Sequence, residues 1–173
     1  TGEFVGSLDY EGTRMTYRYC ALRQLSHVVL MEVEVTPSRD LLLEARLAHQ
    51  VPQSLHGASM TSNDLMFKLK SEPPFKVITT TALSPNETVK VASSSFFLFE
   101  DEDATLPVYH QTTDNDYHNL MFRKALKAGE TFKFQVIGSL ISSVHTADPL
   151  NQAERLVTYA RFQKKGELLR KHR

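Results

Sequence analysis

The chain has 173 residues, 20 basic side chains balanced by 20 acidic ones, seven histidines and a single cysteine. Such a length is about one domain and is enough to bury a hydrophobic core. One cysteine excludes an internal disulfide and a zinc site built on several thiolates, and zero net charge gives no compositional support for attraction of the whole chain to nucleic acid or an anionic membrane.

Taken in chain order, the first residues, TGEFVGSLDYEG, read as strand and turn, as though an upstream part of the fold preceded them. No basic-then-apolar leader is visible there, and no apolar run along the chain approaches the ~20 residues of a bilayer-spanning helix. Period-two alternation is clearest where Met15, Tyr17, Tyr19 and Ala21 point one way and Arg14, Thr16, Arg18 and Cys20 the other, the mark of a half-buried strand. The same signal recurs near residues 3–9, 27–36, 41–49, 76–83, 88–99, 106–112, 117–125 and 131–142. Turn chemistry separates these runs at Thr36-Pro37-Ser38, Pro73-Pro74, Ser84-Pro85-Asn86 and Lys127-Ala128-Gly129. About nine strands with short connections predict a sandwich built mainly of antiparallel sheets. The stretch from Gln50 to Glu72 lacks clean alternation and reads as a long connection, with at most a weak strand from Leu65 to Leu69.

Three segments break the alternation: Val28-Val29-Leu30-Met31, Leu41-Leu42-Leu43 and Phe96-Phe97-Leu98-Phe99. Neighbouring strand residues face opposite sides, so each segment puts large apolar groups on both faces of its sheet. A covering layer is expected over the second face, either more sheet or a partner domain. Full burial of one such side chain is worth about 1.5–3 kcal/mol, which makes several exposed ones costly. Strand ends and corners, locally covered on both sides, are the simpler alternative.

The chain closes on a helix with clear punctuation. Asp148 suits the N-cap, Pro149 occupies the first turn where a missing N–H does no harm, and Leu150, Ala153, Val157 and Ala160 form one apolar stripe. Gly166 is expected to break the helix before Glu167-Leu168-Leu169 resumes it. Residues 149–173 carry seven basic side chains against two acidic ones, which reads as a solvated or neighbour-facing basic tail rather than a nucleic-acid site.

Reaction chemistry is hard to find. Cleavage of a glycosidic bond needs a positioned carboxylic acid with a second carboxylate or a phosphate opposite it, and no spacing singles out such a pair. Glu32 and Glu34 share a face, which is ordinary for a half-solvated strand. The acidic run Glu100-Asp101-Glu102-Asp103 alternates in direction and does not converge as calcium ligands must; it reads as charge flanking an aggregation-prone strand. Asp114-Asn115-Asp116 lacks the spacing of a calcium loop, and His110 and His118 read as an unligated surface pair. No catalytic, cofactor-binding or metal-ligating residue is assigned.

The stretches MTYRYCALRQLSHVVLMEVEVT, KVITTTALSP, KVASSSFFLFE, KALKAGETFKFQVIGSLISSVHTADPLNQAERLVTYA and LLRKH together resemble the N-terminal β-domain of glycoside hydrolase family 65, the maltose, trehalose and kojibiose phosphorylases and related hydrolases. The segment from His145 to Leu156 is the most specific part. The resemblance implies an all-β chain, an antiparallel β-sandwich of the galactose mutarotase-like supersandwich type over residues 1–146, N-terminally incomplete, with a C-terminal linker α-helix in 147–173 leading toward an (α/α)6 catalytic barrel. It also implies an inverting α-glucoside phosphorylase or hydrolase as parent, inorganic phosphate as co-substrate only in the first case, an α-linked disaccharide as substrate, and a homodimer. The residues singled out are structural: His145, Asp148, Pro149, Asn151 and Arg155 of the linker and helix cap. A free-standing glycan- or protein-binding sandwich is the competing reading. The compartment and the linkage cleaved are left open.

Overall fold

The computed structural model describes residues 2–65, 75–99, 106–114, 117–163 and 167–172. Ten strands and two helices follow in order: β1 (Glu3–Tyr10), β2 (Thr13–Ala21), β3 (Val28–Pro37), β4 (Leu41–Gln50), β5 (His56–Leu65), β6 (Phe75–Leu83), β7 (Lys90–Phe99), β8 (Tyr109–Asp114), β9 (Tyr117–Leu126), β10 (Phe132–Ser142), α1 (Pro149–Arg161) and α2 (Glu167–His172). A seven-stranded sheet in the order β1-β2-β3-β10-β7-β6-β5 faces a three-stranded sheet in the order β4-β9-β8, and every pairing is antiparallel. The two-residue turn between β1 and β2 places Glu11 at φ 46° and Gly12 at φ 76°, the left-handed pair that matches strand twist in a tight hairpin.

Between the sheets lies a core of Val33, Val35, Ile78, Phe97, Leu120, Phe122, Leu126, Phe132 and Phe134. Phe122 is its centre, with ring centroids of Phe99, Phe97 and Phe134 at 4.9, 5.0 and 5.1 Å in edge-to-face arrangement. Such geometry sets the positive edge of one ring on the negative face of another and adds to the burial term.

The second face of the wide sheet is covered by the chain's own helices. Cys20, Leu22, Val28, Leu30, Phe75, Val77, Phe96 and Ile137 from the strands form one cluster with Val157 and Ala160 of α1 and Leu168 of α2. The doubled apolar runs are thereby explained strand by strand. Phe96 and Leu98 face the helices while Phe97 and Phe99 face the other sheet, and Val28 and Leu30 lie under the helices while Met31 packs into the inter-sheet core. The covering layer expected from sequence is therefore helical and intramolecular rather than more sheet. Leu42 and Val29 depart from this pattern, at 64% and 45% exposed.

Helix α1 lies along β10 and β7. Ala153 sits beside Ala92 and Ile141, the Ser139 hydroxyl donates to the Ala153 carbonyl at 2.9 Å, and Thr79 donates to Glu154 at 3.0 Å. A serine hydroxyl buried under a helix is tolerable only with such a partner. Replacing it, Ser139→Ala, is expected to lower unfolding stability by about 1–2 kcal/mol in urea titration, with the fold kept.

Two elements differ from the sequence reading. The stretch from Gln50 contains a full strand, β5, paired with β6 through an irregularity between His56 and Ser59. Its sequence, HGASMTSNDL, has neither β-branched alternation nor an apolar face, because β5 is an edge strand. Helix α1 ends at a cap on Phe162, before Gly166. Gly166, the acidic run Glu100–Asp103, Asn115 and Asp116, the Pro73-Pro74 turn and the weak strand past Leu65 lie outside the described residues. Among the described residues no helix is long and apolar enough to cross a membrane.

Candidate functional site

On the helix-bearing face, the side chains of three strands, β2, β3 and β10, turn from apolar to polar at the same level. Along β3, Val28 and Leu30 lie under the helices and Glu32 and Glu34 emerge beyond them; along β10, Ile137 is covered and Gln135 and Lys133 are not. Register aligns these groups into two rows across the sheet, Val5–Arg18–Glu32–Gln135–Leu98 and Ser7–Thr16–Glu34–Lys133. Arg161 and Gln163, at the end of α1, complete the wall of a cleft of about 550 Å³. This volume is in the range of ordinary small-ligand sites, ~300–1,000 Å³.

Ionic and amide partners are interleaved in the cleft. Gln135 donates to Glu32 at 2.7 Å and Lys133 pairs with Glu34 at 2.7 Å. The Arg18 guanidinium stands 3.6 Å from Glu3 and 3.9 Å from Glu32, and its Nε is buried without a hydrogen-bond partner. Arg161 is held with its guanidinium 4.5 Å from the centre of the Phe75 ring, a cation–π contact that fixes it at the cleft wall.

The linker residues divide. Asp148 caps α1, its carboxylate accepting from the Asn151 backbone N–H at 3.2 Å and from the Asn151 side chain. The Asn151 side chain first, then its backbone N–H, hold the Asp148 carboxyl below its ordinary pKa, with Lys90 and Arg155 adding attraction. Pro149 is buried at the first turn. Asp148, Asn151 and Arg155, with Thr146 and Gln152, surround a second recess of about 310 Å³. His145 stands apart from it, its ring tilted against His27 at 4.6 Å between centroids and bonded to Ser142 at 3.0 Å. Asp148 and Pro149 form the start of α1, with Asn151 bonded to the cap.

Sequence reasoning missed a chain of hydrogen bonds that crosses the sandwich. Ser95 Oγ meets His49 Nε2 at 2.8 Å, His49 Nδ1 meets Thr80 Oγ1 at 2.9 Å, Thr80 Oγ1 meets His118 Nε2 at 3.3 Å, and His118 Nδ1 meets His110 Nε2 at 3.0 Å. Far from being a surface pair, His118 is 1% exposed and bonds the exposed His110. Burial, then the neighbouring imidazole, pushes both His49 and His118 down to about 4; burial and then Lys76 lower His110. The signal in sequence was slight, because the histidines lie 31 and 38 residues from the Thr80 that joins them.

Comparison with known proteins gives a consistent relationship. No family model matches the chain. It is 35% identical to a kojibiose hydrolase of Mucilaginibacter mallensis, over 98% of this chain and 25% of that protein, and 35% identical to a kojibiose hydrolase of Flavobacterium johnsoniae, over 99% of this chain and 25% of that protein. The chain thus spans about a quarter of the length of these relatives. A solved structure described as a kojibiose phosphorylase from the human microbiome shares the fold with a TM-score of 0.69 at 13% identity, over 99% of this chain and 22% of that one. A sandwich with a capped terminal helix, this chain is similar along nearly its whole length to a segment about a quarter as long as these kojibiose hydrolases, and it shares the fold of a segment of the kojibiose phosphorylase structure.

Proposed function

We propose that the chain is the non-catalytic sandwich module of a larger enzyme acting on α-linked glucosides, and that it packs against a catalytic (α/α)6 barrel formed by the rest of that protein. The carrying observation is likeness along 98–99% of this chain to only a quarter of two kojibiose hydrolases. The cleft chemistry supports it. Glu32 and Glu34 are each engaged by an amide or ammonium partner on the neighbouring strand, an arrangement suited to holding a polar surface rather than to donating a proton. In this reading bond cleavage belongs to the barrel, with phosphate or water as the attacking group, and the sandwich contributes packing, subunit association or saccharide binding. The second reading, a free-standing glycan- or protein-binding module, draws its support from the cleft alone.

The parent gene's full-length product, assayed on kojibiose with and without inorganic phosphate, is expected to release glucose or glucose phosphate. The 173-residue chain assayed beside it is expected to release neither. Turnover by the chain alone, or a full-length protein inert toward every α-linked glucose disaccharide, would overturn the proposal.

A further inference from the structure

We infer that the cleft bounded by β1, β2, β3, β10, β7 and the end of α1 binds a neutral saccharide. This deepens the carbohydrate-active reading: the choice of sugar rests on that reading, and the ligand class rests on the cleft.

The first ground is an unmet donor. Arg18 carries five N–H groups in a planar fork, yet its two carboxylate neighbours stand at 3.6 and 3.9 Å, beyond hydrogen-bond length, and its Nε is buried without a partner. The Arg18 side chain is 36% exposed, so its terminal N–H groups, 3.9 Å from Glu32, are the donors that an incoming oxygen can reach. The guanidinium is already positioned between Glu3 and Glu32 by charge, so little ordering cost remains for a ligand to meet.

The second ground is charge. Arg18, Lys133 and Arg161 line the cleft with Glu32 and Glu34 set between them, and Glu3, outside the lining, stands 3.6 Å from Arg18, so each cation has a carboxylate or a ring beside it. An anion seated on Arg18 would lie against Glu32, and a cation seated on Glu32 would lie against Arg18; either arrangement brings like charges together in a partly desolvated site. A hydroxyl group avoids the conflict, because its oxygen accepts from Arg18 while its hydrogen donates to Glu32 or Glu34. A ligand with several hydroxyls on one ring can repeat that exchange along the row Arg18–Glu32–Gln135.

The third ground is shape. Val5 and Leu98 close the two ends of that row and offer apolar surface to the C–H faces of a sugar ring. Carboxylates, an amide and a guanidinium flanked by apolar side chains are the mixture a polyhydroxylated ring requires.

The test is a titration of the 15N-labelled chain with kojibiose, followed by amide shifts, and a parallel titration with sodium phosphate. Saturable shifts at Arg18, Glu32 and Gln135 are expected with kojibiose and none with phosphate. Arg18→Ala is expected to weaken binding about tenfold, as for loss of a hydrogen bond to a charged group. Gln135→Ala removes a smaller contact from a position with little bearing on folding and is expected to weaken it by a smaller factor. The inference is overturned by the absence of saturable shifts with α-linked glucose disaccharides, by tighter binding of phosphate than of sugar, or by unchanged affinity in both variants with dispersed, native-like spectra. A cleft that binds kojibiose in a protein whose full length lacks glucosidic activity would overturn the proposed function and leave this inference standing; an active parent with a silent cleft would do the reverse.

Discussion

A chain cut after residue 147 is expected to lose its cooperative unfolding transition and to bind a hydrophobic dye. The cut removes α1 and α2, and with them the cover over Cys20, Leu22, Val28, Leu30, Phe75, Val77, Phe96 and Ile137, all of which are at most 7% exposed in the intact chain. Each large side chain among them gains about 1.5–3 kcal/mol from full burial. Re-exposing even half of that group costs about as much as the ~5–15 kcal/mol by which a domain of this size is stable. The point counterpart is Val157→Asp, which puts a charge at a position 0% exposed, between helix and sheet. That substitution is expected to leave the chain unfolded or molten, since an unpaired buried charge has no compensating partner. A cut chain that unfolds at the same denaturant concentration as the intact one, without dye binding, would show that the helices are an appendage and not a layer of the fold.

Acid should weaken the chain well before its carboxylates titrate. His49 and His118 have pKa values near 4 in the folded state against 6.5 for an ordinary imidazole, with burial the leading cause for both. The unfolded chain therefore takes up protons first as pH falls, and stability declines from about pH 6.5 until the folded imidazoles also protonate near pH 4. One pKa unit corresponds to about 1.4 kcal/mol per group, so the pair together cost a few kcal/mol at pH 5; His118, bonded to the exposed His110, contributes the smaller share. Asp40, Glu44 and Asp148 are held below their ordinary values by Lys127, by Arg123 and by Asn151 respectively, so their losses begin only when the unfolded carboxyls start to protonate, at about pH 5 and below. The interval from pH 6.5 to 5 thus isolates the histidines. Urea midpoints measured across it are expected to fall in the native chain and to fall less in His49→Gln. A flat profile over that interval in the native chain would contradict the account.

Hydrogen-bond order supplies the reason. With every imidazole neutral, the whole chain is satisfied when all bonds run one way or all the other, for example Ser95 donating to His49, His49 to Thr80, Thr80 to His118 and His118 to His110. Protonating His118 turns its Nε2 into a donor toward Thr80, which already accepts from His49. One hydroxyl hydrogen then loses its acceptor inside the sandwich, a cost on top of desolvating the charge.

Much of the fold was legible because its rules are local. Alternation at Met15–Ala21 reports a half-buried strand directly, and the grammar of Asp148-Pro149 followed by an apolar stripe reports a capped helix. The doubled runs at Val28 and Phe96 announced a covering layer, expected as more sheet or a partner domain, and the structure supplies it with α1 and α2. Strand β5 escaped because an edge strand of small polar residues has no periodic side to display. The cleft escaped for a different reason. Glu32 and Glu34 look like any solvated face until register sets Arg18 on one side of them and Gln135 and Lys133 on the other, and register between β2, β3 and β10 depends on pairings more than a hundred residues apart in part. The histidine chain likewise exists only after two sheets have met.

The terminus of α1 gauges how much of the sheet stays open. The helix advances along β7 from Ala153 beside Ala92 to Arg161 above Phe75, and the strands beneath change from oily to charged where it stops. One added turn, about 5.4 Å, would carry helical backbone out over Leu98 and Gln135 and roof the charged rows. Insertions or deletions in this helix among relatives would therefore widen or close the cavity in steps of a turn, with no change in any strand.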